Sequence, residues 1–111
     1  MIFSKTGNTT IITQERATII ALVNKIEEKY DDFSNDNIIV NLFSVKEILP
    51  HAINDFLSIS KKHKSDSKKS FVIVSSKVSI DDVPEELSFV PTLQEAHDVI
   101  EMEEIERDLA I

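Results

Sequence analysis

Two nearly continuous apolar segments of strand length constrain the fold of this chain more than any other feature. They are Asn37–Phe43 and Phe71–Val74. Strands without polar alternation are typical of a sheet covered on both faces, and parallel neighbours need a long, usually helical, crossover between them. The sequence therefore predicts two buried parallel strands, side by side, with the intervening chain packed on the sheet.

A β-hairpin is predicted ahead of these strands. Residues 2–5 and 9–13 are short β-prone runs on either side of Thr6, Gly7 and Asn8. Glycine tolerates the positive φ that a tight hairpin turn requires, so this spacing predicts that the two runs pair antiparallel.

Four segments carry helix signals. Apolar residues recur at three- and four-residue steps over residues 16–31, and Pro50 suits the first position of a helix that runs to about residue 63. Residues 82–87 resemble a short, capped, proline-started helix. After a strand of two or three residues near Pro91, the spacing of Thr92 and Glu95 is that of a capping box, which opens a helix to the C-terminus.

The order of these elements is β-β-α-β-α-β-α-β-α. A chain of 111 residues suits one domain, so residues 1–111 are predicted to form a single α/β unit. We expect a mixed sheet of about four or five strands with an N-terminal hairpin and about four helices.

Composition argues against most catalytic and cofactor sites. Cysteine is absent and Gly7 is the one glycine, so thiolate chemistry and glycine-rich phosphate loops are excluded. His51, His63 and His97 are far apart and form no metal-binding spacing, although His97 and Glu101 are four apart on one predicted helix. The sequence predicts a non-enzymatic protein with no cofactor and no resident metal.

Charge narrows the range of partners. The net charge of −8 repels nucleic acid and anionic membranes, no apolar run reaches membrane-spanning length, and the first residues lack the pattern of a signal peptide. We therefore expect a cytoplasmic protein. Five lysines within residues 61–69 are interpreted as a solvated helix end, and residues 81–111 carry eleven acids against Arg107.

Three segments together resemble the STAS family, the sulfate-transporter and anti-sigma-factor-antagonist domains. Residues 38–45 look like the family's buried strand, residues 71–75 like the strand that follows, and residues 89–96 like the closing edge strand and terminal helix. The resemblance covers essentially the whole chain and implies a STAS-like fold with an anti-sigma or kinase-type protein partner.

The phosphorylatable Asp-Ser-Ser-Gly turn of that family is not matched. It falls on residues 49–52, where the phosphoacceptor position carries His51, so control by serine phosphorylation is not implied. The leading hypothesis is a regulatory protein-interaction module that uses the loop after the first buried strand. The predicted partner-binding residues are Ser44, Lys46, Glu47, Pro50 and His51.

Two alternatives remain open. A small-ligand site or an active site would lie at the carboxyl ends of residues 38–42 and 71–74, where open α/β sheets bind ligands. A structural homodimer or accessory subunit would instead associate through the C-terminal helix, in which Ile105, Leu109 and Ile111 are apolar among acids.

Overall fold

The computed structural model describes residues 1–14, 18–45 and 48–109 and has the predicted α/β architecture. The five strands are β1 (Ile2–Thr6), β2 (Thr9–Thr13), β3 (Asn37–Asn41), β4 (Phe71–Val74) and β5 (Ser88–Val90). The three α-helices of the described residues are α1 (Ile19–Glu28), α2 (Leu57–Lys62) and α3 (Leu93–Leu109).

All five strands form one sheet whose spatial order is the same as their order in the chain. The opening hairpin is confirmed: β1 pairs antiparallel with β2, and Gly7 in the turn has a φ of 61°. From β2 onward every neighbouring pair is parallel. The short strand β5 lies at the edge, as the proline after it predicted.

The two central strands are paired as predicted. Ile38 lies opposite Phe71 and Val40 opposite Ile73, in parallel register. All four side chains are fully buried. The absence of polar alternation in these segments is thus explained by layers of structure on both sheet faces.

Successive residues of the central strands enter two different cores. Ile38 and Val40 join a large cluster with the buried faces of α1 and α2. Ile39 and Val72 point to the opposite face, where they pack with Ala96 and other residues of α3. The first two helices therefore cover one face and the C-terminal helix covers the other, because side chains alternate along a strand.

The number of helices differs from the prediction of about four. The segment expected as a helix over residues 82–87 instead begins at the end of a 3₁₀ turn, Ile80–Asp82, and continues with extended backbone at Val83. Val83 precedes Pro84, and the proline ring disfavours helical backbone in the residue before it. Pro84 instead begins a turn closed by the Leu87 N–H on its carbonyl at 3.0 Å.

The helix expected from Pro50 to about residue 63 is also divided. Residues Pro50–Phe56 are a 3₁₀ helix, and only Leu57–Lys62 are α-helical. Ile53, Phe56 and Ile59 are all buried, three residues apart. A 3₁₀ helix aligns side chains at every third residue, so it directs this row toward one core.

The other two helices begin at threonine caps. Thr18 accepts the Ala21 N–H at 3.2 Å, and Thr92 accepts the Glu95 N–H at 3.2 Å, as the predicted capping box requires. Helix α1 is shorter than the predicted 16–31, whose first two residues lie outside the described part of the chain. Among the described helices, none combines the length and apolar character needed to cross a membrane.

Candidate functional site

The connections that leave the carboxyl ends of the parallel strands contain the predicted site. After β3 the chain turns sharply, because Asn41 Oδ1 accepts the Phe43 N–H at 3.1 Å. The Val45 N–H then donates to the Leu42 carbonyl at 3.0 Å. Leu42 and Val45 are buried, so they anchor the turn and leave Phe43 and Ser44 exposed between them.

The structure describes three of the five predicted partner-binding residues. Ser44 and His51 are exposed, and neither side chain makes a hydrogen bond or ion pair within the described part of the chain. Pro50 begins the 3₁₀ helix at the predicted first position. Lys46 and Glu47 lie outside the described residues.

Four polar side chains near these strand ends each accept the backbone N–H of a residue two or three positions further along the chain. The pairs are Asn41 with Phe43, Ser75 with Lys77, Ser79 with Asp81, and Thr92 with Glu95, at 3.1 to 3.3 Å. These oxygens shape turns and helix starts.

Large apolar side chains are exposed on the same connections. Phe43 is 57% exposed, Leu49 63% and Ile80 68%. We call the exposed side chains of Phe43, Ser44, Leu49, His51 and Ile80 the carboxyl-edge surface. Exposed apolar groups of this size on loops that are anchored by buried neighbours are typical of binding surfaces.

The apolar members of this surface were missed by the sequence analysis. Phe43 was assigned to the buried strand, but the strand ends at Asn41. A signal was available, since asparagine often hydrogen-bonds to the backbone two residues onward and turns the chain. Leu49 and Ile80 carry no comparable signal.

A cavity of about 300 Å³ adjoins this surface. It lies between the turn after β3 and the start of α3, lined by Asn41, Phe43, Ser44, Thr92 and Leu93. Its position at a strand carboxyl end is where α/β sheets commonly hold small ligands. The lining polar oxygens of Asn41 and Thr92 are already hydrogen-bonded to backbone N–H groups.

The three histidines occupy different environments. His51 is exposed, and His97 lines a shallow groove between α3 and β2 together with Glu101. Among the described residues no group of three or more histidine or carboxylate side chains is arranged to hold a metal ion.

His63 is fully buried and belongs to a hydrogen-bonded chain. Its Nε2 is 2.7 Å from the Asp36 carbonyl oxygen, which can only accept, so Nε2 carries the proton. Nδ1 then accepts from the Tyr30 hydroxyl at 2.6 Å, and Tyr30 in turn accepts from Ser67 at 3.1 Å. Burial lowers the pKa of His63 below its ordinary 6.5, against the opposing effect of the Asp36 hydrogen bond. This histidine links the connection between α1 and β3 to the end of α2 inside the core.

Comparison with known proteins assigns no family. No protein-family model matches the chain. A search of curated proteins finds no significant match.

Proposed function

We propose that this chain is a non-catalytic, cytoplasmic regulatory module of the STAS type that binds a protein partner through the carboxyl-edge surface. The observation that carries the proposal is the exposure of Phe43, Leu49 and Ile80 on the connections after β3 and β4. Large exposed apolar side chains such as these bind a partner by exclusion of water.

The rim of the surface indicates the character of the partner. Asp81 and Asp82 follow Ile80 directly and are exposed, and Glu95 is exposed in the first turn of α3. Opposite charges around an apolar centre favour encounter and fix orientation. We therefore expect a partner with an apolar patch bordered by lysine or arginine, and the STAS resemblance suggests an anti-sigma or kinase-type protein.

The sheet also supports the STAS assignment within this proposal. An opening hairpin, a mixed five-stranded sheet and a long helix after a short edge strand are all elements that the resemblance implies. Serine phosphorylation is not part of the proposal, because His51 stands at the position of the family's phosphoacceptor.

The test is co-purification from cells that express tagged wild-type and variant chains, with cross-linking and mass spectrometry. We expect Phe43→Asp and Leu49→Asp to lose a protein that the wild type retains, because a buried carboxylate without a partner opposes association. Ile20→Asp is the matched control, since Ile20 on α1 is 58% exposed. Retention of every captured protein by both site variants contradicts the proposal.

The cavity of about 300 Å³ favours a second candidate, a small-ligand or catalytic site at the same edge. Native mass spectrometry of the same purified protein distinguishes the two. A bound metabolite that disappears in Leu93→Phe, with no partner lost in the carboxyl-edge variants, favours the ligand site over the interaction module.

The exposed end of α3 favours a third candidate, a homodimer. Met102, Ile105 and Leu109 are 62%, 53% and 80% exposed, whereas the buried apolar stripe of the helix ends at Ile100. Light scattering on a sizing column separates this candidate from the others: a dimer mass that becomes a monomer mass in Ile105→Lys supports it.

A further inference from the structure

A cleft of about 530 Å³ lies near the amino ends of the parallel strands, opposite the carboxyl-edge surface. It is formed between the chain that enters β4 and the last turns of α3. We call it the amino-edge cleft. Its charged lining consists of the cations Lys64, Lys68, Lys69 and Arg107 and the carboxylates Glu103 and Glu106. The cleft therefore has a net charge of about +2 in a molecule of net charge −8. The lysines belong to the cluster within residues 61–69, whereas the contribution of Arg107 was not apparent from the sequence because it is distant from them in the chain.

Arg107 is fixed in the cleft by neutral groups. Its Nη1 donates to Ser70 Oγ at 3.1 Å and its Nη2 to Asn37 Oδ1 at 3.3 Å. Ser70 and Asn37 are buried, so these acceptors hold the guanidinium against the amino ends of β3 and β4. Three further N–H groups of the guanidinium remain available to a ligand.

Lys64 is positioned in the same way. Its Nζ donates to the Glu86 carbonyl at 3.2 Å and to Ser88 Oγ at 3.3 Å, and neither acceptor is charged. The ion pairs of the described residues lie elsewhere, between Lys5 and Asp36 and between Lys25 and Glu28. Two cations are thus held in place without being neutralised.

The backbone turns at Lys68 as it reaches the cleft. The chain makes a π-helical turn at His63–Ser67, and Lys68 then adopts a left-handed conformation with φ 55°. That conformation costs a non-glycine residue roughly 1–2 kcal/mol. The buried His63 and the Ser70 N–H, which donates to Asn37 Oδ1 at 3.0 Å, fix the two ends of this segment.

We propose that the amino-edge cleft binds a phosphate monoester. Such a group carries a charge of about −1.5 to −2 at neutral pH and three strong acceptor oxygens. The cleft offers a matching net charge and hydrogen-bond donors from two elements, two of them immobilised before the ligand arrives. Glu103, Glu106 and the overall negative charge oppose a long polyanion such as nucleic acid. The cleft lies away from the carboxyl-edge surface, so this inference does not depend on the proposed function.

The test is a titration of the intact chain with O-phosphoserine at low ionic strength, followed by amide chemical shifts. We expect saturable shifts that include Ser70 and Arg107. In Lys68→Gln/Lys69→Gln the affinity falls about tenfold or more, since two charge-assisted contacts are lost. The matched control is Lys29→Gln/Lys77→Gln, which removes the same charge from exposed lysines outside the cleft and leaves the affinity within about twofold.

Three results overturn the proposal: no shifts at about 10 mM O-phosphoserine, equal loss of affinity in the two double variants, or equal affinity for succinate. Thermal melts establish whether each variant is folded. If Lys68→Gln/Lys69→Gln does not fold, the single variants Lys68→Gln and Lys69→Gln are measured in its place. Inorganic phosphate and a phosphoserine peptide, with its serine counterpart, are titrated in parallel. Tighter binding of the phosphopeptide assigns the phosphate to a partner protein, and equal binding assigns it to a small metabolite; both results support the site.

Discussion

The buried chain of Asp36, His63, Tyr30 and Ser67 shows how single residues define this core. A histidine in an apolar core is stable only when both ring nitrogens have partners and the ring is neutral. Here the Asp36 carbonyl fixes the proton on Nε2, and the Tyr30 hydroxyl supplies the donor for Nδ1. The ring also makes edge contacts with the rings of Tyr30 and Phe71, at interplanar angles of 89° and 65°, which add packing to the hydrogen bonds.

Acidification is expected to destabilise the fold through His63. Its pKa in the folded protein lies below 6.5, so below that pH the unfolded chain binds more protons than the folded one. The stability that neutral His63 contributes to the folded protein is fully present above pH 6.5. It is lost as the pH falls toward the pKa of His63 in the folded protein. Melting temperatures between pH 7.5 and 5 should fall more in the wild type than in His63→Gln. His51→Gln, at an exposed histidine, should retain the wild-type slope, and an unchanged slope in His63→Gln contradicts the prediction.

Removal of the Tyr30 hydroxyl is expected to cost more than the loss of an ordinary surface hydrogen bond. In Tyr30→Phe the buried Nδ1 of His63 has no donor, which costs about 1–3 kcal/mol of unfolding free energy. Urea denaturation measures this loss. Ser67→Ala leaves the Tyr30–His63 bond intact and should cost less than about 1 kcal/mol. If Tyr30→Phe and Ser67→Ala lose the same unfolding free energy, the bond between the Tyr30 hydroxyl and His63 stabilises the fold no more than the bond to Ser67, and the prediction is wrong.

Helix α3 has few buried side chains, so its stability depends on the contacts at its two ends. Its buried contacts come from Ala96 and Ile100, while its second half has exposed apolar residues and many acids. That half is held to the sheet by polar contacts: Glu104 accepts from Asn8 at 3.2 Å and from Asn37 at 3.4 Å, and Arg107 donates to Ser70. A helix with so little apolar burial gains from every satisfied backbone group at its ends.

The cap at Thr92 is therefore expected to matter measurably. Thr92→Ala removes the acceptor for the Glu95 N–H and should lower the unfolding free energy by about 1 kcal/mol, within a range of roughly 0.5–2 kcal/mol. Thr92→Ser retains a capping oxygen and should remain within about 0.5 kcal/mol of the wild type. Chemical denaturation of the three proteins tests the prediction, which fails if serine and alanine are equally destabilising.

The elements that could be predicted from sequence are those with a local cause. The hairpin follows from Gly7, the start of α3 from Thr92, and the central strands from apolar runs that no exposed strand would carry. The divided helix after Pro50 and the 3₁₀ turn at residues 80–82 depend instead on which rows of side chains meet the core. Side chains buried at every third residue favour the 3₁₀ helix after Pro50. Pro84 disfavours helical backbone at Val83, although the sequence pattern predicted an α-helix at both places.

The candidate sites were harder to predict, for a similar reason. The sequence located the loop that contains Ser44 and His51, but not the exposure of Phe43, which depends on where strand β3 ends. The amino-edge cleft joins Arg107 to lysines nearly forty positions earlier in the chain. This proximity results from the order of the strands in the sheet and from the packing of α3 on the face that contains Ile39 and Val72. Neither can be predicted from the local spacing of apolar residues.

At the scale of the whole molecule, like charges oppose compaction. The net charge is −8, and eleven of the acids lie within residues 81–111. Self-repulsion between exposed charges is screened by salt over a distance of about 8–10 Å at physiological ionic strength.

We therefore expect sodium chloride to stabilise the fold. The melting temperature should rise between about 10 and 150 mM salt, because screening removes more repulsion than attraction in a molecule with so few ion pairs among its described residues. Neutralising exposed acids of α3 that have no partner among the described residues, as in Glu101→Gln/Asp108→Asn, should flatten this dependence. A melting temperature that falls with salt would identify attractive pairs as dominant.

The agreement between chain order and sheet order has a consequence for synthesis on the ribosome. Each strand after β1 that emerges from the exit tunnel finds a hydrogen-bonding neighbour already made. Assembly can therefore proceed by docking one strand at a time onto a growing edge. The opposite face of the sheet is covered later: until α3 has been made, the face formed by Ile39 and Val72 stays uncovered, so this nascent intermediate exposes apolar surface.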